Sequence, residues 1–239
     1  MNAWPALRQV VHDGWVLRFS GSYTGRANSV HPLYPGNLPL GEKIAHCEQA
    51  YHRLGLVPLF KLTTAAQPDG LDGALAALNY RAFNRTSVQT VELGKLPPLP
   101  AADETVVAYE SPRESWVESV VRFRSINPHD AKTLRAILAA LVPPARFATV
   151  VEGGETVACG LAVLERPWVG LFDIVTREDR RRRGHGGRVT RALLDWAKGE
   201  GAERAYLQVT LDNTPASRLY ATLGFRETYQ YWYRAGRRP

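Results

Sequence analysis

Apolar positions in the first third of the chain recur at two periods. Trp15, Leu17 and Phe19 alternate with Val16 and Arg18, so residues 14–19 predict a strand, and after the turn-forming Ser20-Gly21-Ser22-Tyr23 residues 25–30 predict a second. Residues 31–40 carry Pro32, Pro35, Gly36 and Pro39 and read as loop. Leu40, Ile44, Cys47, Tyr51 and Leu54 are then spaced by three and four, which predicts a helix stopped by Gly55. A strand over 57–62, a short helix over 71–78 and a strand over 86–93 complete this part.

Past residue 105 the pattern is more regular. Helices are predicted over 115–123 and 130–141, the second opened by Asn127-Pro128-His129-Asp130 and stopped by Pro143-Pro144. Strands over 147–151 and 156–164 flank the Gly153-Gly154 bend, and a third covers 169–176. A helix over 187–199 puts Val189, Leu193 and Trp196 on one face. A strand over 205–211, a helix over 214–223 ended by Gly224 and a strand over 226–233 follow. The order is that of an α/β protein with a mixed sheet. Pro97, Pro98 and Pro100 cannot continue a sheet interior, so two units are expected, 1–95 and 105–239, joined by a linker over 96–104. Leu78-Asn79-Tyr80-Arg81 echoes Leu223-Gly224-Phe225-Arg226, which suggests that the first unit is a degenerate copy of the second.

Composition narrows the class. The 239 residues are 45% hydrophobic and 22% charged, values of a folded globular chain rather than a disordered one. No apolar run reaches the roughly 18 residues a membrane span needs, and no basic head with an apolar block opens the chain. Two cysteines, Cys47 and Cys159, are too few for a disulfide framework or a zinc cluster, and the histidines show no ligand spacing, so no metal and a cytoplasmic location are expected. The formal net charge of +7 is concentrated in one place, where Arg177, Arg180, Arg181, Arg182, Arg183, Arg188 and Arg191 crowd a single segment. That confinement favours a local anion site over a nucleic-acid-binding coat.

In this segment a strand stops at Thr176, a basic loop follows, and Gly184-His185-Gly186-Gly187 opens a helix. Glycines let backbone N–H groups face a common space, and with the positive end of the helix they make a cradle suited to a pyrophosphate. Arginines at the rim add charge-assisted hydrogen bonds. No Gly-Lys-Ser/Thr follows, which excludes a phosphate loop of the nucleoside-triphosphatase kind, and the spacing is not that of a dinucleotide fingerprint.

Arg181-x-x-Gly184-x-Gly186 resembles the Arg/Gln-x-x-Gly-x-Gly/Ala signature of the GNAT superfamily, the acyl-CoA N-acyltransferases. Residues 172–176 resemble its bulged strand, and Asn213 through Phe225 resemble its later Asn-x-x-Ala-x-x-Leu-Tyr…Gly-Phe block. The resemblance covers about residues 105 to 235 and implies a GNAT-type fold and an N-acetyltransferase that moves an acetyl group from acetyl-CoA directly to an amine. It implies that the amides of Arg182, Arg183, Gly184, His185, Gly186 and Gly187, with Arg181 leading, hold the pyrophosphate. Main-chain groups of Ile174 and Thr176 would bind the pantetheine arm, and an N–H around Ile174 or Val175 would meet the acyl oxyanion. Asn213 and Ser217 would lie near that arm. By the same resemblance Tyr220 gives a proton to the departing thiolate, and Asp173 stands where several relatives keep a carboxylate, as a candidate base whose competing role is to pair with a local arginine.

A non-catalytic acyl-CoA sensor on the same fold is the alternative. The acceptor is expected to be a small-molecule or peptide amine, with neither nucleic acid nor membrane as partner; a homodimer is compatible with the reading. The first unit has no arginine in the stretch 35–41 where a second cradle would fall, so a packing role or one wall of the acceptor groove is expected of it.

Overall fold

Strand-forming residues around Trp15 and Phe60 and those around Phe147 and Phe172 end up in a single sheet. The computed structural model describes residues 1–21, 23–96 and 105–238. In chain order the elements are β1 (Arg8–His12), β2 (Trp15–Phe19), β3 (Val30–Pro32), α1 (Leu40–His52), β4 (Leu59–Thr63), α2 (Leu71–Ala77) and β5 (Arg81–Glu92). Then come β6 (Val106–Tyr109), α3 (Glu114–Phe123), α4 (Pro128–Ala139), β7 (Ala145–Glu152), β8 (Glu155–Glu165) and β9 (Trp168–Thr176). The last four are α5 (His185–Gly199), β10 (Arg204–Thr210), α6 (Thr214–Thr222) and β11 (Arg226–Ala235). The mixed α/β class expected from the element order is what the chain adopts.

The sheet has eleven strands in the order β1-β2-β3-β4-β11-β5-β10-β9-β8-β7-β6. Each half therefore lends its last strand to the other: β5 pairs antiparallel with β10, β11 pairs antiparallel with β4, and the two lent strands pair with each other. The sheet runs unbroken through both halves, while residues 97–104 of the expected linker lie outside the described residues.

Two places depart from the sequence reading. Residues 25–30 are not a strand: Gly25–Ala27 form a turn of 3-10 helix and β3 starts only at Val30. The cause is Asn28, whose buried side chain accepts from Ser20 N–H at 2.5 Å and donates to Tyr23 carbonyl at 2.8 Å, satisfying the turn locally. The strands β1 and β6 were not anticipated; β1 is mostly exposed, so it carries no one-sided apolar alternation.

Apolar residues of α5, Val189, Leu193, Leu194 and Ala197, pack on one face of the sheet with Leu223 and Phe225. On the other face Trp116, Val120, Leu134 and Ile137 of α3 and α4 cover Phe147 and Phe172. In the first half Ile44, Cys47 and Tyr51 of α1 pack with Leu75 of α2 on Trp15 and Phe60. Burying an aliphatic or Phe side chain of this kind contributes about 1.5–3 kcal/mol. Both cysteines are free and buried. Among the described residues, no helix is long and apolar enough to cross a membrane.

The echoed tetrapeptides share one geometry. Asn79 and Gly224 both take positive φ, at 63° and 87°, just past α2 and α6. The N–H that follows reaches back to the helix in each case, Tyr80 to Leu75 carbonyl at 2.9 Å and Phe225 to Tyr220 carbonyl at 3.0 Å.

Candidate active site

Two parallel neighbours, β9 and β10, pair only at residues 168–170 with 204–206 and then separate. Glycine starts the separation: a Cβ at Gly170 would lie 2.6 Å from the Tyr206 hydroxyl, so only Gly lets the Tyr206 ring lie across the last paired position. Beyond it β9 carries a bulge. Cys159 faces Val175 and Leu161 faces Phe172, so Asp173 and Ile174 together oppose Gly160. Asp173 takes φ 46° there, a left-handed conformation that Asp tolerates better than most residues. A Cβ on Gly160 would meet Ile174 Cδ1 at 2.7 Å, so the glycine makes room for the bulged residue.

Between the separated strands lies a cleft of about 560 Å³. Of the residues singled out by sequence, Asp173, Ile174, Val175, Arg181, Asn213 and Tyr220 line it. Thr176, at the end of β9, sits next to the start of α5: its Oγ1 is 3.6 Å from where a Gly186 Cβ would be. Gly184 caps α5 with φ 83°, and the first backbone bond into the helix is Arg188 N–H to Gly184 carbonyl at 3.0 Å. Among the described residues no acceptor meets the N–H groups of residues 182–187. They are the orphan donors of a helix start, aligned with its positive end.

The arginines divide by partner. Arg177 is held by Glu155 and Asp179, each at 2.7 Å, and Arg188 by Glu152 at 3.3 Å. Among the described residues Arg181 reaches only Glu178, at 3.8 Å, and the exposed Arg182 and Arg183 have no ion pair. The charge left uncompensated is thus at the cradle.

The side chains of three further expected residues take these places. The His185 ring is buried, with Nδ1 3.2 Å from Arg188 Nη1 and Nε2 3.5 Å from Glu152, so this residue offers its backbone N–H and not its side chain. The Asn213 Oδ1 caps α6 by accepting from Ala216 N–H at 3.2 Å. Ser217 is half-buried on α6 and does not line the cleft.

Tyr220, on α6, is buried with its ring edge-on to Phe225 at 6.0 Å. Its hydroxyl has no hydrogen-bond partner among the described residues, and burial raises its pKa to about 12. Asp173 is committed to a short ion pair with Arg124, which holds the guanidinium above its ordinary pKa. Its side chain is fully buried, and among the described residues its Oδ2 has no partner. Arg124 escaped the sequence reading, as did Arg26 and Gln208 in the same cleft. Arg124 lies just past α3, and no motif in the sequence marks it. Among the described residues no group of three His, Cys, Asp or Glu could hold a metal ion.

The matches to known proteins agree with this geometry. The family profile described as the probable histone acetyltransferase Rv0428c C-terminal region matches residues 1–234. The chain is 31% identical over 238 residues to the uncharacterized N-acetyltransferase YobR of Bacillus subtilis, covering 98% of this chain and 95% of that protein. It is 28% identical to the probable histone acetyltransferase Rv0428c of Mycobacterium tuberculosis, covering 94% and 67%. A GCN5-related N-acetyltransferase from Kribbella flavida shares the fold with a TM-score of 0.69 at 20% identity, over 97% of this chain and 90% of that one. A tandem GNAT protein from the clavulanic acid biosynthesis pathway does so at 0.63 and 14% identity, over 82% and 69%. With the splayed pair, the bulge and the donor-rich helix start in place, the chain belongs to the Rv0428c C-terminal acetyltransferase family of the GNAT superfamily.

Proposed function

We propose that the protein is an N-acetyltransferase that uses acetyl-CoA and transfers the acetyl group directly to an amine. The observation that carries this reading is the set of unoccupied N–H donors over residues 182–187, beside uncompensated Arg182 and Arg183, at the end of a strand that has parted from its neighbour. Donors of this kind fit a pyrophosphate, and the open edges of β9 and β10 fit an extended arm that hydrogen-bonds as a strand would. In this reading Arg181 and the loop amides hold the phosphates, and main-chain groups of Ile174, Val175 and Thr176 hold the arm.

When bound, the thioester supplies an activated acetyl carbon, whose bond to sulfur is exchanged for one to nitrogen. Tyr220 keeps its proton through the physiological range because burial disfavours the phenolate, so its hydroxyl is a donor for the sulfur that departs. The amine must shed a proton to attack; water is its simplest acceptor here, since Asp173 is engaged by Arg124. Asn213 organises the start of α6 and so sets where Tyr220 points.

Titration calorimetry with acetyl-CoA tests the binding half, and release of free CoA across an amine panel tests the transfer. The expected result is sub-millimolar binding that the triple variant Arg181→Gln/Arg182→Gln/Arg183→Gln weakens. An absence of binding by the unaltered chain would overturn the reading; binding without CoA release from any amine would move it to the sensor alternative.

A further inference from the structure

A second cavity, of about 840 Å³, adjoins the cleft and shares Arg26, Phe172 and Gln208 with it. Its walls come from both halves: Arg18, Arg26 and Lys61 from the first, and Trp168, Phe172 and Tyr206 from the second. This is where the amine would reach the acetyl group, and its charge is lopsided. Three cationic side chains line it against one carboxylate, Glu165, which accepts from Asn2 at 2.9 Å.

None of the three cations has an ion-pair partner among the described residues. The guanidinium of Arg18 is fully buried and, among the described residues, donates only to carbonyls, those of Arg26 at 2.5 Å, Trp4 at 2.6 Å and Met1 at 3.2 Å. Arg26 lies over the rings of Trp4 and Phe172, at 4.9 and 5.4 Å. Lys61 places its ammonium 4.0 Å from the Tyr231 ring centre and has no hydrogen bond to a described residue. Like charges crowded in a cleft, one fully buried and two half-buried, are costly unless something of opposite sign joins them. Burial, and then the repulsion of Arg26 and Arg18, lowers the Lys61 pKa to about 7, so its charge is poorly matched by the groups around it.

We infer that this cavity takes an amine that also carries an anionic group and an apolar body, with Lys61 and Arg26 binding the anion and the aromatic walls packing on the rest. The inference rests on the acetyltransferase reading for the role of the amine, not for the anion site. It argues against lysine-rich tails as acceptors, because Arg26 and Lys61 would repel them, although one relative carries the name of a probable histone acetyltransferase.

The experiment has two arms. In the full chain, without acetyl-CoA, Lys61 is titrated by NMR of its side-chain carbon in the presence of phenylacetate, inorganic phosphate or phenylacetamide. An anion bound at Lys61 raises its pKa by about one unit or more, since an opposite charge nearby favours the ammonium. Phenylacetate is expected to do so and phenylacetamide not; phosphate acting in place of phenylacetate identifies the anion as a phosphate. A Lys61 titration unmoved by either anion overturns the inference, whatever acetyl-CoA does.

The second arm follows CoA release with phenylalanine against phenylalaninamide, phosphoethanolamine against ethanolamine, and a lysine-rich peptide. The anionic member of at least one pair is expected to lead by about tenfold or more in kcat/KM, the effect of one charge-assisted hydrogen bond. Lys61→Gln should erase that lead with acetyl-CoA affinity unchanged, Arg26→Gln should erase it as well, and Lys61→Arg should keep it. Preference for the peptide, or a lead that survives both Gln variants, overturns the inference. Failure to bind acetyl-CoA overturns only the acetyltransferase reading, because the first arm then still decides.

Discussion

The Asp13 carboxylate accepts a hydrogen bond from the backbone N–H of Asn37 at 2.8 Å, and its second oxygen accepts from Leu38 at 3.0 Å. Those two amides lie in the loop between β3 and α1, the counterpart in the first half of the loop between β9 and α5. The parallel β3 and β4 touch at a single register position, Val30 to Phe60, as β9 and β10 touch only briefly. One half thus meets its loop amides with its own carboxylate, while among the described residues the amides of the other find no acceptor. Leu75 completes the contrast: it stands at the helix-end position that Tyr220 holds in the second half, and it is fully buried.

Asp13 also anchors Lys43, whose ammonium is fully buried and lies 3.1 Å from the carboxylate. The Asn37 and Leu38 amides, and Lys43 after them, lower Asp13 from 3.8 to about 2. A carboxyl with a depressed pKa stabilises the fold above its unfolded value and loses that contribution as pH falls through the folded one. We predict that Asp13→Asn lowers the melting temperature at neutral pH and flattens the stability profile between about pH 4 and 2. Melts of both chains across that window check it, and parallel profiles would remove Asp13 from the acid response.

Tyr220→Phe deletes one oxygen from a ring that stays packed on Phe225. Acetyl-CoA affinity and melting temperature are expected to hold while turnover drops by about 100-fold or more, the usual weight of a positioned proton donor. Because burial keeps the phenol protonated up to about 12, no alkaline loss of activity below pH 10 should trace to this group. Calorimetry together with a pH–rate profile measures both. Equal turnover in the variant would take Tyr220 out of the chemistry.

Asp173 and Arg124 form the other pair with a decidable role. Removing the arginine strands a fully buried carboxylate on the bulge, so Arg124→Ala should cost about 2–3 kcal/mol, less than a wholly buried pair because Arg124 is partly exposed. The double variant with Asp173→Asn should cost less than the two single changes together, the mark of direct coupling. If Asp173 acts through Arg124, Asp173→Asn retains measurable turnover with an unshifted pH profile. Loss of turnover with stability intact would make Asp173 the base.

How much of this could be read beforehand depended on range. Period and punctuation located α1, α5, α6 and most strands, because Ile44 and Cys47 or Val189 and Leu193 announce a buried face within one or two turns. The arginine loop and the glycine-rich helix start were legible too, since Gly184 to Gly187 and the arginines are contiguous. Strand exchange was not: nothing local to β11 says that it will lie between β4 and β5. A lysine at a buried position of α1 calls for a partner, and only the fold reveals that partner to be Asp13. The cationic cavity is hidden for the same reason, as only the fold brings Lys61 beside Arg18 and Arg26 and closes the cavity with aromatic walls from the second half.

Two glycines separate crowding from backbone strain at the cleft. At Gly160 the backbone has no positive φ, but an added Cβ would meet Ile174 Cδ1 at 2.7 Å and Leu193 Cδ1 at 3.0 Å. Gly160→Ala should therefore push on the bulge and on α5 together, costing about 1–3 kcal/mol as an overpacked core does. Acetyl-CoA affinity should fall as well, because Ile174 borders the cleft. At Gly184 the space is open, yet φ is 83°, so Gly184→Ala should cost about 1–2 kcal/mol from the left-handed backbone alone. Its effect on affinity should be the larger relative to its effect on stability, since the residue sets the direction of the donor N–H groups rather than a packed contact. Denaturant melts and acetyl-CoA titrations of both variants test the contrast. Equal ratios of lost affinity to lost stability would show that the cradle's aim does not depend on the Gly184 conformation.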